Sequence, residues 1–306
     1  MKNYRGTSEQ DTHRLDKNLL RRAFERAARG YDEAALLQRE VGARMLERLD
    51  LIRLPPKIIL DIGAGTGVCS SALTQRYNGA LVIAVDLAVN MLKQARARVP
   101  FLNRWIHRRQ GFVCGDAELL PFANASVDMI FSNLTLQWCD DLDLTFAEFR
   151  RVLKPGGLLM FSTFGPDTLI ELRQSWAQVD DLNHINAFID MHDIGDALLR
   201  ARLTTPVLDV ELFTLTYSDV LKLMHDLKTL GAHNVTAGRP HGLTGKGRLQ
   251  ALVGAYESYR SDGLLPASYE VVYGHGWAPD NVAELKTEPG VVRVPINQLR
   301  RSARNR

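Results

Sequence analysis

Residues 58 to 67 read Ile-Ile-Leu-Asp-Ile-Gly-Ala-Gly-Thr-Gly, an apolar run that breaks into three glycines, and Asp86 closes a second apolar run 19 residues after Gly67. A chain turns sharply from strand to helix over a ligand only where side chains are absent or φ is unrestricted. Gly63, Gly65 and Gly67 supply that freedom. Asp86 ends Leu81-Val-Ile-Ala-Val-Asp, and a carboxylate at the carboxyl edge of a parallel strand can accept both hydroxyls of a ribose. A dinucleotide fingerprint wants Gly-x-Gly-x-x-Gly, but residue 68 is Val and the extra glycine falls one residue early. The spacing therefore fits a nucleoside cofactor without a pyrophosphate. Alone, the loop would serve equally as an ordinary strand-to-helix turn.

Three further stretches follow in order. Gly115-Asp-Ala-Glu-Leu-Leu-Pro-Phe comes after the short run Gly111-Phe-Val-Cys and would set an acid and an apolar pair beside an adenine edge. Val127-Asp-Met-Ile-Phe-Ser-Asn is an apolar strand ending at Asn133, and Leu153-Lys-Pro-Gly-Gly-Leu-Leu-Met-Phe is a turn feeding a fifth strand. The ordered series over residues 58 to 164 resembles the class I S-adenosylmethionine-dependent methyltransferases. That resemblance implies S-adenosyl-L-methionine as cofactor, on a binding set of Asp61, Gly63, Gly65, Gly67, Asp86, Leu87, Asp116, Ala117 and Asn133. Within it, Asp61 and Gly63 border the methionine end and Asp86 holds the ribose. Leu87 and Ala117 flank the adenine, Asp116 reads its amino group, and Asn133 lies near the sulfonium.

From Lys17 to about Leu49 the apolar residues Leu20, Phe24, Ala27, then Leu36, Leu37, Val41 and Met45 recur at helical spacing, broken at Gly30-Tyr31, so two helices precede the first strand. Strands near 57–62, 81–86, 111–114, 127–132 and 157–163 alternate with helical runs over 67–77, 89–98 and 142–152. The expected fold is α/β: a doubly wound, mostly parallel, seven-stranded Rossmann-like sheet. Past the fifth strand come helical runs at 166–178 and about 190–201, a sixth strand at Pro206 to Tyr217, and a helix from Ser218 to Leu230. A glycine- and proline-rich loop at 237–247, a helix at 247–262 and a seventh strand at Tyr269 to Trp277 complete the series. The reading is one elaborated domain over 17–278, with N-terminal helices at 17–50 and lid insertions at 164–188 and 218–268 near the strands' carboxyl edge. Residues 1–16 lack periodicity and are expected to be disordered, and 279–306 to be a flexible basic tail.

Composition narrows the class. Apolar content of 45% and charge of 24% are ordinary for a soluble globule. No apolar run approaches the roughly 20 residues that cross a bilayer, so no membrane partner is expected. Met1 to Lys17 is polar and contains acids, unlike a secretory signal, which makes the cytoplasm the expected location. Cys69, Cys114 and Cys139 are widely spaced, without a Cys-x-x-Cys or a neighbouring His pair, so they read as small buried hydrophobes and no metal is expected. A net charge of +3 is too small to argue for nucleic acid, even with Arg300, Arg301, Arg304 and Arg306 in the tail.

The insertions have their own wording: Thr163-Phe-Gly-Pro-Asp-Thr-Leu-Ile-Glu-Leu-Arg, Phe188-Ile-Asp-Met-His-Asp-Ile-Gly-Asp-Ala-Leu and Gly242-Leu-Thr-Gly-Lys-Gly-Arg. With Phe24-Glu-Arg-Ala-Ala-Arg-Gly-Tyr-Asp-Glu-Ala-Ala-Leu-Leu-Gln-Arg-Glu, they resemble the malonyl-acyl carrier protein O-methyltransferases of early biotin synthesis, the BioC family, from about residue 18 to 278. The resemblance implies methylation of a malonyl thioester's free carboxylate, with an acidic carrier protein and its phosphopantetheine arm as partner. Tyr31, Arg173 and His192 are the candidate catalytic residues. Tyr31 would bond or wall the reacting group, or else pack as a half-buried aromatic. Arg173 offers a planar fork to a malonyl carbonyl or phosphopantetheine, or stands as a solvated helix-face cation. His192 precedes a helix and is alternatively a polar loop residue, with Asp193 as the N-cap. Lys246 and Arg248, with Arg239, suggest a basic surface for the carrier protein, or merely exposed loop charges. Two enzymatic rivals stay open: a methyltransferase of another small acid or quinone, and an arginine-hydroxylating assembly factor on the same fold. A non-catalytic cofactor-binding protein is the third.

Overall fold

The central strands are apolar at nearly every position, because both of their faces are covered. Successive side chains alternate in direction, so Met129, Phe131, Leu158 and Met160 enter one core layer while Ile130, Leu159 and Phe161 enter the other. The computed structural model describes residues 15–100, 109–232, 234, 236 and 245–280. The expectations for residues 1–14, for the tail beyond residue 280, for Arg239 and for most of the 237–247 loop lie outside the described residues.

Strands β1 (Ile58–Ile62), β2 (Leu81–Asp86), β3 (Gln110–Cys114), β4 (Val127–Ser132), β5 (Leu153–Phe164), β6 (Thr204–Tyr217) and β7 (Leu265–Trp277) form one seven-stranded sheet in the order β3-β2-β1-β4-β5-β7-β6. Pairing is parallel from β3 through to β5, and β7 lies antiparallel between β5 and β6. The Rossmann-like, mostly parallel architecture is therefore as the alternation of strand and helix predicts.

Helices α1 (Lys17–Ala27), α2 (Tyr31–Ala34) and α3 (Leu36–Arg48) precede the sheet, and α4 (Val68–Arg76), α5 (Val89–Arg98) and α6 (Leu142–Val152) wind around it. They are followed by α7 (Ile170–Ala177), α8 (Met191–Arg200), α9 (Val220–Thr229) and α10 (Lys246–Tyr256). Four aspartates start helices by accepting a backbone N–H: Asp16 from Leu19, Asp141 from Leu144, Asp190 from His192 and Asp219 from Lys222. One face of the sheet buries Leu37, Val41 and Met45 of α3 with Leu172 and Trp176 of α7, and the other buries Phe146 and Phe149 of α6 with Ile194 and Leu198 of α8. Full burial of such side chains stabilises by about 1.5–3 kcal/mol each.

The structure differs from the sequence reading in several places. The break at Gly30-Tyr31 inserts the short helix α2, so three helices lead the sheet rather than two. β5 begins at Leu153, and the Pro155-Gly156 turn lies inside it as an irregularity between the pairs Val127–Leu153 and Met129–Leu158. The 247–262 run is helical to Tyr256 and continues as a 3-10 turn to Tyr259, while β7 starts at Leu265 opposite Tyr217. Asp190, not Asp193, caps α8, since its carboxylate is the one that reaches the free N–H of the first turn. Cys69 and Cys139 are buried, but Cys114 is exposed at the end of β3. Among the described residues no helix is long and apolar enough to cross a membrane.

Candidate active site

Leaving β1, the chain turns at Gly63 (φ +70°), Gly65 (φ +54°) and Gly67 (φ +80°) into α4. The N–H groups of Gly63 and Ala64 donate to the Val85 carbonyl at 2.8 and 3.0 Å, which fixes the loop against β2. Gly63 has no room for a side chain: a Cβ would lie 2.0 Å from Thr135 Oγ1. At Gly65 the nearest neighbour of such a Cβ would be Tyr31 Cε1, 3.9 Å away, so the space over this glycine is open.

That space belongs to a pocket at the carboxyl edge of the parallel strands. Gly63, Gly65, Asp86, Leu87, Asp116, Ala117 and Asn133 all line it, with Tyr31 among them. Asp61 and Gly67 stand behind this wall: Asp61 is buried and accepts the Ser70 hydroxyl at 2.5 Å, and Gly67 is the N-cap of α4. Helix α1 closes over the opening with Lys17, Leu20 and Phe24. Lys17 donates to Asp116 at 3.0 Å and pairs with Glu118 at 2.5 Å, so the acid at the expected adenine edge is covered in this state.

Asp86 accepts the N–H of Gly65 at 2.9 Å on one oxygen and that of Ala88 at 2.8 Å on the other. A carboxylate has about four acceptor positions, so two remain. Burial pushes the Asp86 carboxyl up to about 6, against the pull of those two N–H groups. Burial likewise pushes Asp61 up to about 7, opposed by Ser70. Tyr31 is held well above the ordinary phenol range, by burial first and then by the charges of Asp86 and Asp32, so its hydroxyl keeps its proton. The short helix carrying Tyr31 is anchored to the glycine loop by the Thr66 hydroxyl, which donates to Asp32 at 2.6 Å, and by the Arg98–Asp32 pair. Asn133 is fixed on both sides: its amide donates to Gln38 O at 2.9 Å and its carbonyl accepts the Ser162 hydroxyl at 2.9 Å.

Against this pocket lies a second, larger cavity of about 1050 Å³ between α1, the 164–188 insertion and α9, and Trp138 lines both. Trp138 meets Phe24 edge-on, centroids 5.5 Å apart. The wall is mainly apolar, with one polar anomaly. Asn186 is only 7% exposed, yet its side-chain oxygen has no hydrogen-bond partner among the described residues. Such a group costs about 1–3 kcal/mol when left unpaired.

Two of the three candidate catalytic residues are not brought to either chamber. Arg173 donates to the carbonyls of Pro166 at 3.0 Å and Thr168 at 3.2 Å, and so braces the turn leading into α7. The His192 side chain is 85% exposed beside Asp190 and lines none of the described cavities. Conversely, Lys17, Thr135 and Trp138 line the cofactor-side pocket without having been singled out from the sequence. Trp138 had a usable signal: an aromatic shortly beyond the carboxyl end of the fourth strand, on the edge where such sheets hold ligands.

Residues 60–161 match the family described as "Methyltransferase domain". The crystal structure of the YcgJ protein of Bacillus subtilis shares the fold, with a TM-score of 0.53 at 18% identity over 79% of this chain and 100% of that one. A malonyl-acyl-carrier protein O-methyltransferase of Methylovorus sp. (strain MP688) is 55% identical over 270 residues, spanning 88% of this chain and 91% of that protein. Its counterpart in Gallionella capsiferriformans (strain ES-2) is 52% identical over 280 residues, 89% and 97% of the two chains. With identity at that level over nearly the whole length, this chain belongs to the malonyl-acyl-carrier protein O-methyltransferase family.

Proposed function

We propose that this chain methylates the free carboxylate of malonyl-acyl carrier protein, giving the methyl ester at an early, pimeloyl-forming step of biotin synthesis. The observation that carries the reading is the junction at Trp138 of a nucleoside-type pocket with a large apolar cavity under the lid insertions. S-adenosyl-L-methionine, when bound, supplies a methyl group on a positive sulfonium. The residues fit it: Asp86 has acceptor positions left for ribose hydroxyls, the space over Gly65 is open, and two carboxylates, Asp86 half-buried in the pocket wall and Asp61 buried behind it, favour a cationic ligand. Asp61 and Gly63 border the methionine end, Gly63 in the pocket wall and Asp61 behind it; Leu87 and Ala117 take the adenine faces, and Asp116 the adenine amino group once Lys17 releases it. Asn133, immobilised by Gln38 and Ser162, forms the wall on the sulfonium side.

A carboxylate nucleophile needs no general base, so the protein's work is to aim it and keep water out. Phe24 and Trp138 form an aromatic collar at the junction. Tyr31 remains a neutral donor beside it and hydrogen-bonds the attacking carboxylate. Tyr31→Phe should lower kcat by about tenfold, the value of one hydrogen bond, with cofactor Kd little changed; unchanged kcat and KM would remove the hydroxyl from the mechanism.

The two raised carboxyls also set a pH dependence. A cation binds their ionised forms, and a proton must first be lost below about pH 6 at Asp86 and below about pH 7 at Asp61, so cofactor affinity should tighten by up to about tenfold per pH unit per group as pH rises towards those values and level off once both are passed. In the ligand-free protein the sign reverses. The fold binds protons that the unfolded chain has shed, so these groups' contribution to stability declines as pH rises from about 4 to about 7. Calorimetric Kd values and thermal unfolding across that range check both; an affinity independent of pH contradicts the assignment.

The function itself is tested by growth. A bacterium lacking its own malonyl-acyl carrier protein methyltransferase should grow without biotin when it expresses this chain, and should not when it expresses the Asp86→Ala variant. Well-expressed, folded protein that gives no rescue counts against the reading.

A further inference from the structure

The cavity of about 1050 Å³ is far larger than a malonyl group requires. Leu169, Leu172, Trp176, Ile185 and Leu227 make much of its wall, and Trp138 marks where it meets the cofactor pocket. Two exposed cations also line it, Arg26 at the end of α1 and Lys228 at the end of α9. Neither makes an ion pair with a described residue, and the acids next to them in sequence are engaged elsewhere. Glu25 accepts the N–H groups of Val89 and Asn90 at 2.8 and 2.9 Å, and Asp226 is hydrogen-bonded with Tyr217. Two positive charges lining one cavity, with no ion pair among the described residues, suit an anion.

Asn186 lines both this cavity and a smaller adjoining one, and its buried amide oxygen has no hydrogen-bond partner among the described residues. Most other polar groups nearby have hydrogen-bond partners among the described residues, Asp180 Oδ2 being an exception that faces Arg248. Asn234 donates to Asn183 O at 2.6 Å and accepts from the Thr236 hydroxyl at 2.7 Å. His184 stacks on Trp176, centroids 3.7 Å apart, and is hydrogen-bonded to Asp180 at 2.7 Å. Arg248, part of the basic surface expected from the sequence, lies 3.6 Å from the same Asp180, so its charge is already met. An apolar channel with one unpartnered amide inside and two free cations on its lining matches a long, flexible chain that contains amides and carries a phosphate at one end.

Building on the function proposed above, we infer that this cavity holds a phosphopantetheine arm, with Arg26 and Lys228 taking the phosphate and Asn186 hydrogen-bonding an amide of the arm. The cavity thus selects for the arm as well as for the acyl group, with the phosphate contact at the ends of α1 and α9.

The test compares malonyl-phosphopantetheine with malonyl-pantetheine, which differ only in the phosphate, on the full chain and on the double variant Arg26→Gln/Lys228→Gln. The native chain should prefer the phosphorylated substrate by about tenfold or more in kcat/KM, and the double variant should bring that ratio close to one. A ratio that survives, or equal losses on both substrates, overturns the phosphate assignment. Malonyl-CoA and malonyl-acyl carrier protein both present the arm's phosphate, so both should lose activity; a loss confined to the carrier protein would assign the cations to protein docking instead. Asn186→Leu should raise KM for both pantetheine substrates by about tenfold with cofactor Kd as the control for an intact fold, and an unchanged KM overturns the amide contact. If the native chain methylates no malonyl thioester, the proposed function falls separately. Competition by free phosphopantetheine for the cavity, weakened by Arg26→Gln/Lys228→Gln, then still decides this inference.

Discussion

Replacing Asp86 with alanine should weaken S-adenosyl-L-methionine binding by roughly a hundredfold or more. In the proposed site the carboxylate's free acceptor positions serve two ribose hydroxyls, and hydrogen bonds to a charged group are worth about 1.5–3 kcal/mol each; two of them correspond to at least two decades in Kd. The same change leaves the N–H groups of Gly65 and Ala88 without their acceptor, so the glycine loop should loosen as well. Asp86→Asn is the milder change, because its amide oxygen still accepts one of the two loop N–H groups while the charge and the second acceptor are lost. Isothermal calorimetry on both variants gives the ranking native, then Asn, then Ala. Binding by the alanine variant within about fivefold of native would take the ribose away from Asp86.

The second large effect is at Gly63. A methyl group there would sit 2.0 Å from Thr135 Oγ1, 2.5 Å from its Cγ2 and 2.8 Å from its Cβ, in a backbone conformation with φ at +70°. Left-handed φ disfavours an L residue by about 1–2 kcal/mol, and overpacking adds about 1–3 kcal/mol. Gly63→Ala should therefore destabilise the fold by roughly 2–5 kcal/mol and impair cofactor binding, since the displaced Thr135 also donates to Ile62 O at 3.1 Å. Gly79→Ala is the matched control, with nothing within 4 Å of the added carbon. Chemical denaturation of the pair checks it; equal midpoints would mean that the loop and Thr135 do not approach each other this closely.

Sequence reading succeeded where the determinant is local. Apolar runs ending in Asp86 or Asn133, and glycines placed where φ turns positive, announce parallel strands and the loop between them without any long-range information. It was weaker where a residue's meaning depends on what folds against it. Arg173 and His192 have site-like side chains and neighbours, yet one braces the carbonyls before α7 and the other points into solvent. Lys17 is unremarkable in sequence and lines the pocket only because α1 folds back over strands far along the chain, whereas Trp138 carried a signal in its place beyond the fourth strand. The large cavity is least legible of all, because α1, the 164–188 insertion and α9 each supply only part of its wall. Helix caps show the same limit on a small scale: Asp190 and Asp193 are both reasonable from spacing, and only the turn geometry selects Asp190.

Transfer of labelled methyl from S-adenosyl-L-methionine tests the central claim most directly, with malonyl-acyl carrier protein, malonyl-CoA, free malonate and unacylated carrier protein offered side by side. The account predicts label on the malonyl thioesters alone, released by mild base as expected of a methyl ester, with the carrier-bound substrate preferred. Label on free malonate or on the unacylated carrier protein, or no transfer at all by protein that demonstrably binds the cofactor, would contradict it.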